Sequence, residues 1–262
     1  AYALLGNEYQ IIYDLIKILS SVISAYLIFR FFSDYMSYDR AIIASFIFVL
    51  YPLHDTTLYW YMTLQYILAP AILLYAHHLI RNNKIRKGFL VTIVGSFLSY
   101  ASPPYLFGLT VIFLYEKKLK KAIVFATPGI LYVAYYFWMK FNYAGLERRI
   151  NSDLSILDFL KQMLIQPLSF LESAVGPSYW LKVFYAIESI GFISIIIIAM
   201  ILIFSFIRVK SFSTVCKLPK SLYIGLISVL LLSFGMFALT GLYSHSAFNL
   251  GNRTTVYGSL FI

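Results

Sequence analysis

Apolar residues run along this chain in blocks long enough to cross a bilayer, separated by short charged punctuation. Predominantly apolar stretches run roughly over Ile11–Phe32, Leu58–Ile80, Ala122–Phe141, Val183–Ile207 and Leu222–Tyr243, each near the roughly 20 residues that a helical span requires. A shorter stretch, Ala41–Leu53, stops at His54-Asp55. The stretch Gly88–Tyr115 is long but interrupted by Ser102-Pro103-Pro104. Adjacent prolines remove two amide donors and force extended backbone ahead of them, so this segment is expected to form two short helices. A different rhythm marks Asp153–Glu172, where Leu154, Leu157, Leu160, Leu164, Leu168 and Leu171 recur at three- and four-residue steps. That stripe predicts an amphipathic helix, on the membrane surface or packed on the spans, with Ser155 and Asp158 at its start.

The pattern therefore predicts an all-α fold: a polytopic transmembrane helix bundle with a broken, re-entrant-like helix pair and a surface amphipathic helix. Residues 1–262 read as one transmembrane domain, and 142–182 as an extracytoplasmic loop carrying the amphipathic helix. The chain starts without Met and stops inside an apolar run, and the expectation is a fragment truncated at both ends.

Composition supports the membrane class. Hydrophobic residues make up 61% and charged residues only 12%, about half of the charge usual in a soluble domain. Mean hydropathy is +0.79. One cysteine, Cys216, excludes an internal disulfide and a cysteine-based metal site. The net charge of +10 is informative for where it sits. The loops bracketed by Arg30 and Arg40, by Arg81 and Lys87, by Glu116 and Lys121, and by Arg208 and Lys220 hold 14 basic and 3 acidic residues, a net +11. The rest holds 7 basic and 8 acidic residues, a net −1. The positive-inside rule makes those four loops cytoplasmic and the protein a multi-pass component of a bacterial-type inner or plasma membrane. Both flanks of Gly88–Tyr115 then lie on the same side, so the segment must enter and return. Half-depth backbone of this kind is tolerated where it is buried in protein or lines a polar cavity.

Polar residues on the opposite face are not needed for orientation and become the candidates for chemistry. His54 and Asp55 stand where a short span leaves the bilayer, followed by Tyr59, Trp60 and Gln65. Asp55 can serve as a general base or bind a cation, with His54 tuning it. It can equally cap the next helix, with Tyr59 and Trp60 in the interfacial aromatic belt. His245, Asn252 and Arg253 precede the last apolar run, and an arginine fork suits a phosphate, or anchors the interface by snorkelling. Arg148 and Arg149, with Asp153, Asp158, Lys161 and Glu172, either line a cleft or form the wet side of the amphipathic helix. Asp14 and Lys17 are three residues apart and form a candidate neutralising pair; Glu188 has no evident partner in the sequence. No phosphate-binding glycine loop, zincin motif, nucleophile elbow or nucleic-acid-binding pattern is found, so no nucleic-acid partner is expected.

The order Arg40-Ala41-Ile42-Ile43-Ala44, Phe48-Val49-Leu50-Tyr51-Pro52-Leu53-His54, Trp60, Tyr66-Ile67-Leu68-Ala69, Ser99-Tyr100-Ala101-Ser102 and Leu114-Tyr115-Glu116 resembles the GT-C class of polytopic glycosyltransferases. That class includes protein O-mannosyltransferases and bacterial lipid-linked sugar transferases. The resemblance covers about residues 15 to 121, with an echo at Asn252-Arg253. It implies sugar transfer from a polyprenyl-(pyro)phosphate donor to a glycan, lipid or protein acceptor on the extracytoplasmic face. The class's catalytic aspartate lies in the first outer loop, of which at most Ala1–Gln10 is present, with Glu8 its only acid. On this reading the catalytic candidates are Asp55 and His54, and the substrate-binding candidates are Arg253, Asn252, His245, Tyr59, Trp60, Gln65, Arg148 and Arg149. A basic residue or a divalent cation would stabilise the leaving phosphate; the metal ligands are undefined. The expected partners are the polyprenyl-linked donor and membrane lipid. A surface-polysaccharide polymerase or ligase, and a secondary transporter with broken helices, are the competing expectations.

Overall fold

A computed structural model describes residues 10–49, 51, 54, 63–100, 102–143, 155–189 and 218–240, with isolated positions at 191–192, 195–196, 198–200, 203, 248, 256 and 259–260. Its long elements are all α-helical: α1 (Gln10–Phe32), α2 (Tyr38–Val49), α3 (Gln65–Arg81), α4 (Ile85–Leu98), α5 (Pro103–Tyr115), α6 (Leu119–Asn142), α7 (Ile156–Val175), α8 (Pro177–Ser189) and α9 (Lys220–Thr240). No strand occurs among the described residues. Three helices, α1, α6 and α9, are long and apolar enough to cross a membrane.

These three match the expected spans to within a few residues, because long apolar runs leave little choice of element. The interrupted segment divides as the prolines dictate. α4 has 14 residues and ends at Ser99 in extended backbone, and α5 has 13 residues and opens on the two prolines. Proline suits the first helical turn, where its missing amide has no partner to lose. At 1.5 Å per residue these arms are about 20 Å long. Other boundaries differ from expectation: α2 covers Tyr38–Val49 rather than Ala41–Leu53, α3 opens at Gln65 rather than Leu58, and α8 already begins at Pro177, ahead of the expected span start at Val183, and ends at Ser189. Gly176 and Pro177 supply the break, ending α7 and fixing φ for the first turn of α8.

Contact registers give the helix directions. Arg30 meets His78 and Asp34 meets Asn82, both at an offset of 48, so α1 and α3 run parallel. Gly88 lies against Ile80 and Gly95 against Leu73, an antiparallel pairing of α4 with α3. α5 and α9 are antiparallel and very close: a Cβ on Gly108 would stand 2.6 Å from the Val229 backbone nitrogen, and one on Gly225 would overlap Ile112. Small residues at facing positions are how apolar helices approach when lipid competes for their surfaces.

The largest fully buried side chains are Tyr105, Phe31, Phe48, Phe113, Phe125 and Phe237. His77 joins this aromatic core, stacked on Phe113 at 4.1 Å and edge-on to Phe31 and Phe125. Neither of its ring nitrogens has a hydrogen-bond partner. The outward faces carry Ile11, Leu15, Leu19 and Val22 of α1 and Leu131, Trp138 and Phe141 of α6, all strongly exposed. That inversion of the usual surface is what a lipid solvent selects.

Candidate functional site

The two ends of the bundle are built from different chemistry. At one end lie the turns after α1, α3 and α5, which hold three of the basic loops of the sequence, and the start of α9 at Lys220. Asp34 accepts from the His78 ring through Nδ1 at 3.0 Å and from Asn82 Nδ2 at 3.0 Å. Arg30 Nη2 stands 3.3 Å from His78 Nε2. Asn82 Nδ2 also lies 3.2 Å from His78 Nδ1, so the imidazole is set among two donors, Arg30 and Asn82, and one carboxylate acceptor, Asp34. Beside this group, both carboxylate oxygens of Glu116 accept from Arg81 Nη1, at 2.7 and 2.9 Å. Glu116 also accepts from Lys118 Nζ at 2.5 Å and from Ser221 Oγ at 3.1 Å. Burial pushes the Glu116 carboxyl up, but its cationic donors Lys118 and Arg81 outweigh this and hold it at about 2. Lys121 Nζ donates to the Arg81 carbonyl at 2.7 Å, and the Arg81 guanidinium lies 4.5 Å over the Tyr35 ring. Four helix ends are thus tied through two carboxylates, Asp34 and Glu116, each shared among several donors, at an end whose loops stay strongly basic.

The opposite end is aromatic. His54 is fully buried, with Nε2 2.9 Å from Ser259 Oγ. Its ring is edge-on to Phe48 at 5.1 Å and to Tyr51 at 5.4 Å. Burial drives the imidazole down to about 3; the charge on Lys182 adds to this, and a backbone hydrogen bond to Phe48 works against it. Near neutral pH His54 is therefore an uncharged hydrogen-bonding group. Tyr51 OH donates to the Ala174 carbonyl at 3.1 Å, and its ring stacks on Tyr179 at 6.3 Å. Tyr105, one residue beyond the prolines, donates to the Val256 carbonyl at 2.7 Å. Lys182 Nζ stands 5.9 Å over the Phe248 ring. Segments distant in sequence, ending α2, opening α5, ending α7, within α8 and near the C-terminus, converge here.

Of the ten catalytic and substrate-binding candidates named from the sequence, two are described. His54 lies in this cluster, and Gln65 is the half-buried first residue of α3. Asp55, Tyr59, Trp60, Arg148, Arg149, His245, Asn252 and Arg253 lie outside the described residues. Among those described, Asp14 and Lys17 pair at 2.6 Å. Ser155 caps α7, accepting from the Asp158 amide at 3.1 Å. Glu172 receives the Ser178 amide and hydroxyl at the α7–α8 junction.

Sequence reasoning missed Tyr105, Tyr179, Lys182 and Ser259 as members of the far-end cluster. Tyr105 had a signal, since an aromatic just past a double proline must sit at the hairpin tip; Ser259, inside an apolar run, had none. No group of three or more His, Cys, Asp or Glu that could hold a metal ion occurs among the described residues. Comparison with protein-family models, with curated proteins and with solved structures finds no match to the chain.

Proposed function

We propose that the chain belongs to a GT-C-like integral membrane glycosyltransferase, working at the end of the bundle away from the basic loops. On this reading the basic end is cytoplasmic, the helices form a polytopic bundle, and α4–α5 is a re-entrant pair entering from the cytoplasmic side. A polyprenyl-(pyro)phosphate sugar would bind with its prenyl chain in the lipid and its headgroup at the far end. Asp55 would take the proton of the acceptor hydroxyl. The acceptor oxygen would then bond to the anomeric carbon as the bond from that carbon to phosphate oxygen breaks, the electron pair leaving with the phosphate. Arg253 would stabilise the leaving phosphate, with a divalent cation as the other means of doing so. His54, neutral and buried, would position the loop that carries Asp55.

The observation that supports this reading is the convergence at the far end. Tyr51 and Tyr179 stack near Lys182, and the buried Tyr105 is bonded to the carbonyl of Val256, three positions from Arg253 in sequence. Aromatic rings with a nearby cation are suited to a sugar phosphate.

The test is transfer of labelled sugar from a panel of polyprenyl-phosphate monosaccharides by the protein in lipid nanodiscs. Asp55→Asn and Arg253→Ala are each expected to lower turnover by about 10²-fold or more. Unchanged turnover in both variants overturns the site. Activity with preassembled oligosaccharide carriers alone moves the reading to a polymerase or ligase; solute flux without chemical change moves it to a transporter.

A further inference from the structure

The amphipathic helix α7 does not use its leucines to pack on the protein. Its buried residues are Gln166, Phe170, Ser173 and Ala174, and Phe170 sits edge-on to Phe234 of α9 at 5.8 Å. Met163 and Leu230 join the same cluster. The other edge, bearing Leu157, Leu160, Leu164, Leu168 and Leu171, is more than half exposed at every one of these positions. α8 has no buried residue, and Trp180 is 64% exposed.

The level at which α7 meets α9 decides what covers that edge. α9 starts at Lys220 beside Glu116 of the basic end and spans about 31 Å at 1.5 Å per residue. Leu230 and Phe234 stand 10 and 14 residues along it, or about 15 and 21 Å from the basic end. In a hydrocarbon layer about 30 Å thick, these positions run from the midplane into the far leaflet. The tie from Tyr51 OH to the Ala174 carbonyl holds the end of α7 beside His54. Charges agree with this depth: Asp158, Lys161 and Glu172 lie towards the ends of α7, and positions 162–171 carry none.

We infer that α7 is immersed in the far leaflet, its leucine edge and the neighbouring Trp180 covered by phospholipid acyl chains rather than by water or a second copy of the chain. The apolar faces of α1 and α6 already require the same solvent, and an uncharged edge at hydrocarbon depth matches it. This inference depends on the membrane reading of the chain and not on sugar transfer.

Depth-dependent fluorescence quenching tests it. Trp60, Trp138 and Trp180 are replaced by Phe, and single tryptophans are introduced as Leu164→Trp, Leu168→Trp and, at the protein-buried face, Phe170→Trp. The protein is reconstituted in phosphatidylcholine vesicles brominated on the acyl chains, and iodide serves as the aqueous quencher. The expected result is that tryptophan at 164 and 168 loses most of its emission to the brominated lipid and little to iodide, whereas tryptophan at 170 is shielded from both. Strong quenching by iodide at 164 and 168 overturns the inference in favour of a water-facing surface. Shielding from both quenchers at those positions overturns it in favour of a protein-covered one. Both leucines point away from the core, so their replacement does not disturb folding, and a wild-type-like elution profile in detergent checks this.

Discussion

The two ends of this bundle join similar helices by opposite means. At the basic end, Glu116 gathers Arg81, Lys118 and Ser221, and Asp34 gathers His78 and Asn82, so charge is answered by charge. At the far end the ties are tyrosine hydroxyls on carbonyls, a neutral histidine on a serine, and ring stacking. At the basic end the two carboxylates are fully engaged while the lysines and arginines remain in excess. The far end is closed by neutral bonds between buried groups, His54 and Tyr105 among them, so its cohesion is far less sensitive to salt than that of the basic end.

The largest effect expected is one that breaks both ends together. Gly225→Leu forces α9 from Ile112 of α5, and these two helices carry Glu116's partner Ser221 and the hairpin-tip residue Tyr105. A loss of about 3 kcal/mol is expected, read from thermal unfolding in detergent. Glu116→Gln should act on the basic end alone. It leaves Arg81 and Lys118 without their carboxylate and costs about 2 kcal/mol, with no change in hydrogen exchange around Val256. Tyr105→Phe should do the reverse at about 1 kcal/mol, loosening exchange near Val256 and sparing the Glu116 cluster.

Acid separates the ends by the pH at which each yields. His54 is depressed from 6.5 to about 3 in the folded protein, so the unfolded chain binds its proton first. The contribution of His54 is whole above about 6.5 and is lost as pH falls towards 3. Glu116 is depressed from 4.5 to about 2, so its contribution is whole above about 4.5 and fades below that. On acidification the far end is therefore expected to loosen first, followed by exchange at the two ends as a function of pH. His54→Gln should remove the earlier phase and Glu116→Gln the later one; a single phase unaffected by either variant would show that the ends are not energetically distinct.

Much of this architecture was legible in the chain. Long apolar blocks announced α1, α6 and α9, the paired prolines divided α4 from α5, and Ser155 announced the start of α7. Grouping the basic loops also anticipated which turns share an end. The face that α7 buries was not legible. A leucine stripe marks an apolar edge, but when lipid is the solvent, hydrophobicity no longer distinguishes the side that packs on protein. The smaller, more polar edge with Gln166, Ser173 and Ala174 does the packing, as close helix approach favours. The far-end cluster was only partly readable. His54 stood out as an ionisable group at a span end, but Ser259 and Tyr179 reach it through tertiary folding across long separations. Their residue types give no local signal.

The hairpin of α4 and α5 carries one more consequence. Its arms are each about 20 Å long, shorter than a hydrocarbon layer of about 30 Å, and its tip is covered by protein, Tyr105 being fully buried. The Tyr105 phenol donates to the Val256 carbonyl, 151 positions away in sequence. A single neutral bond made by a buried phenol therefore fastens the turn of the hairpin to a remote part of the chain, and its loss would be felt at both ends of that bond.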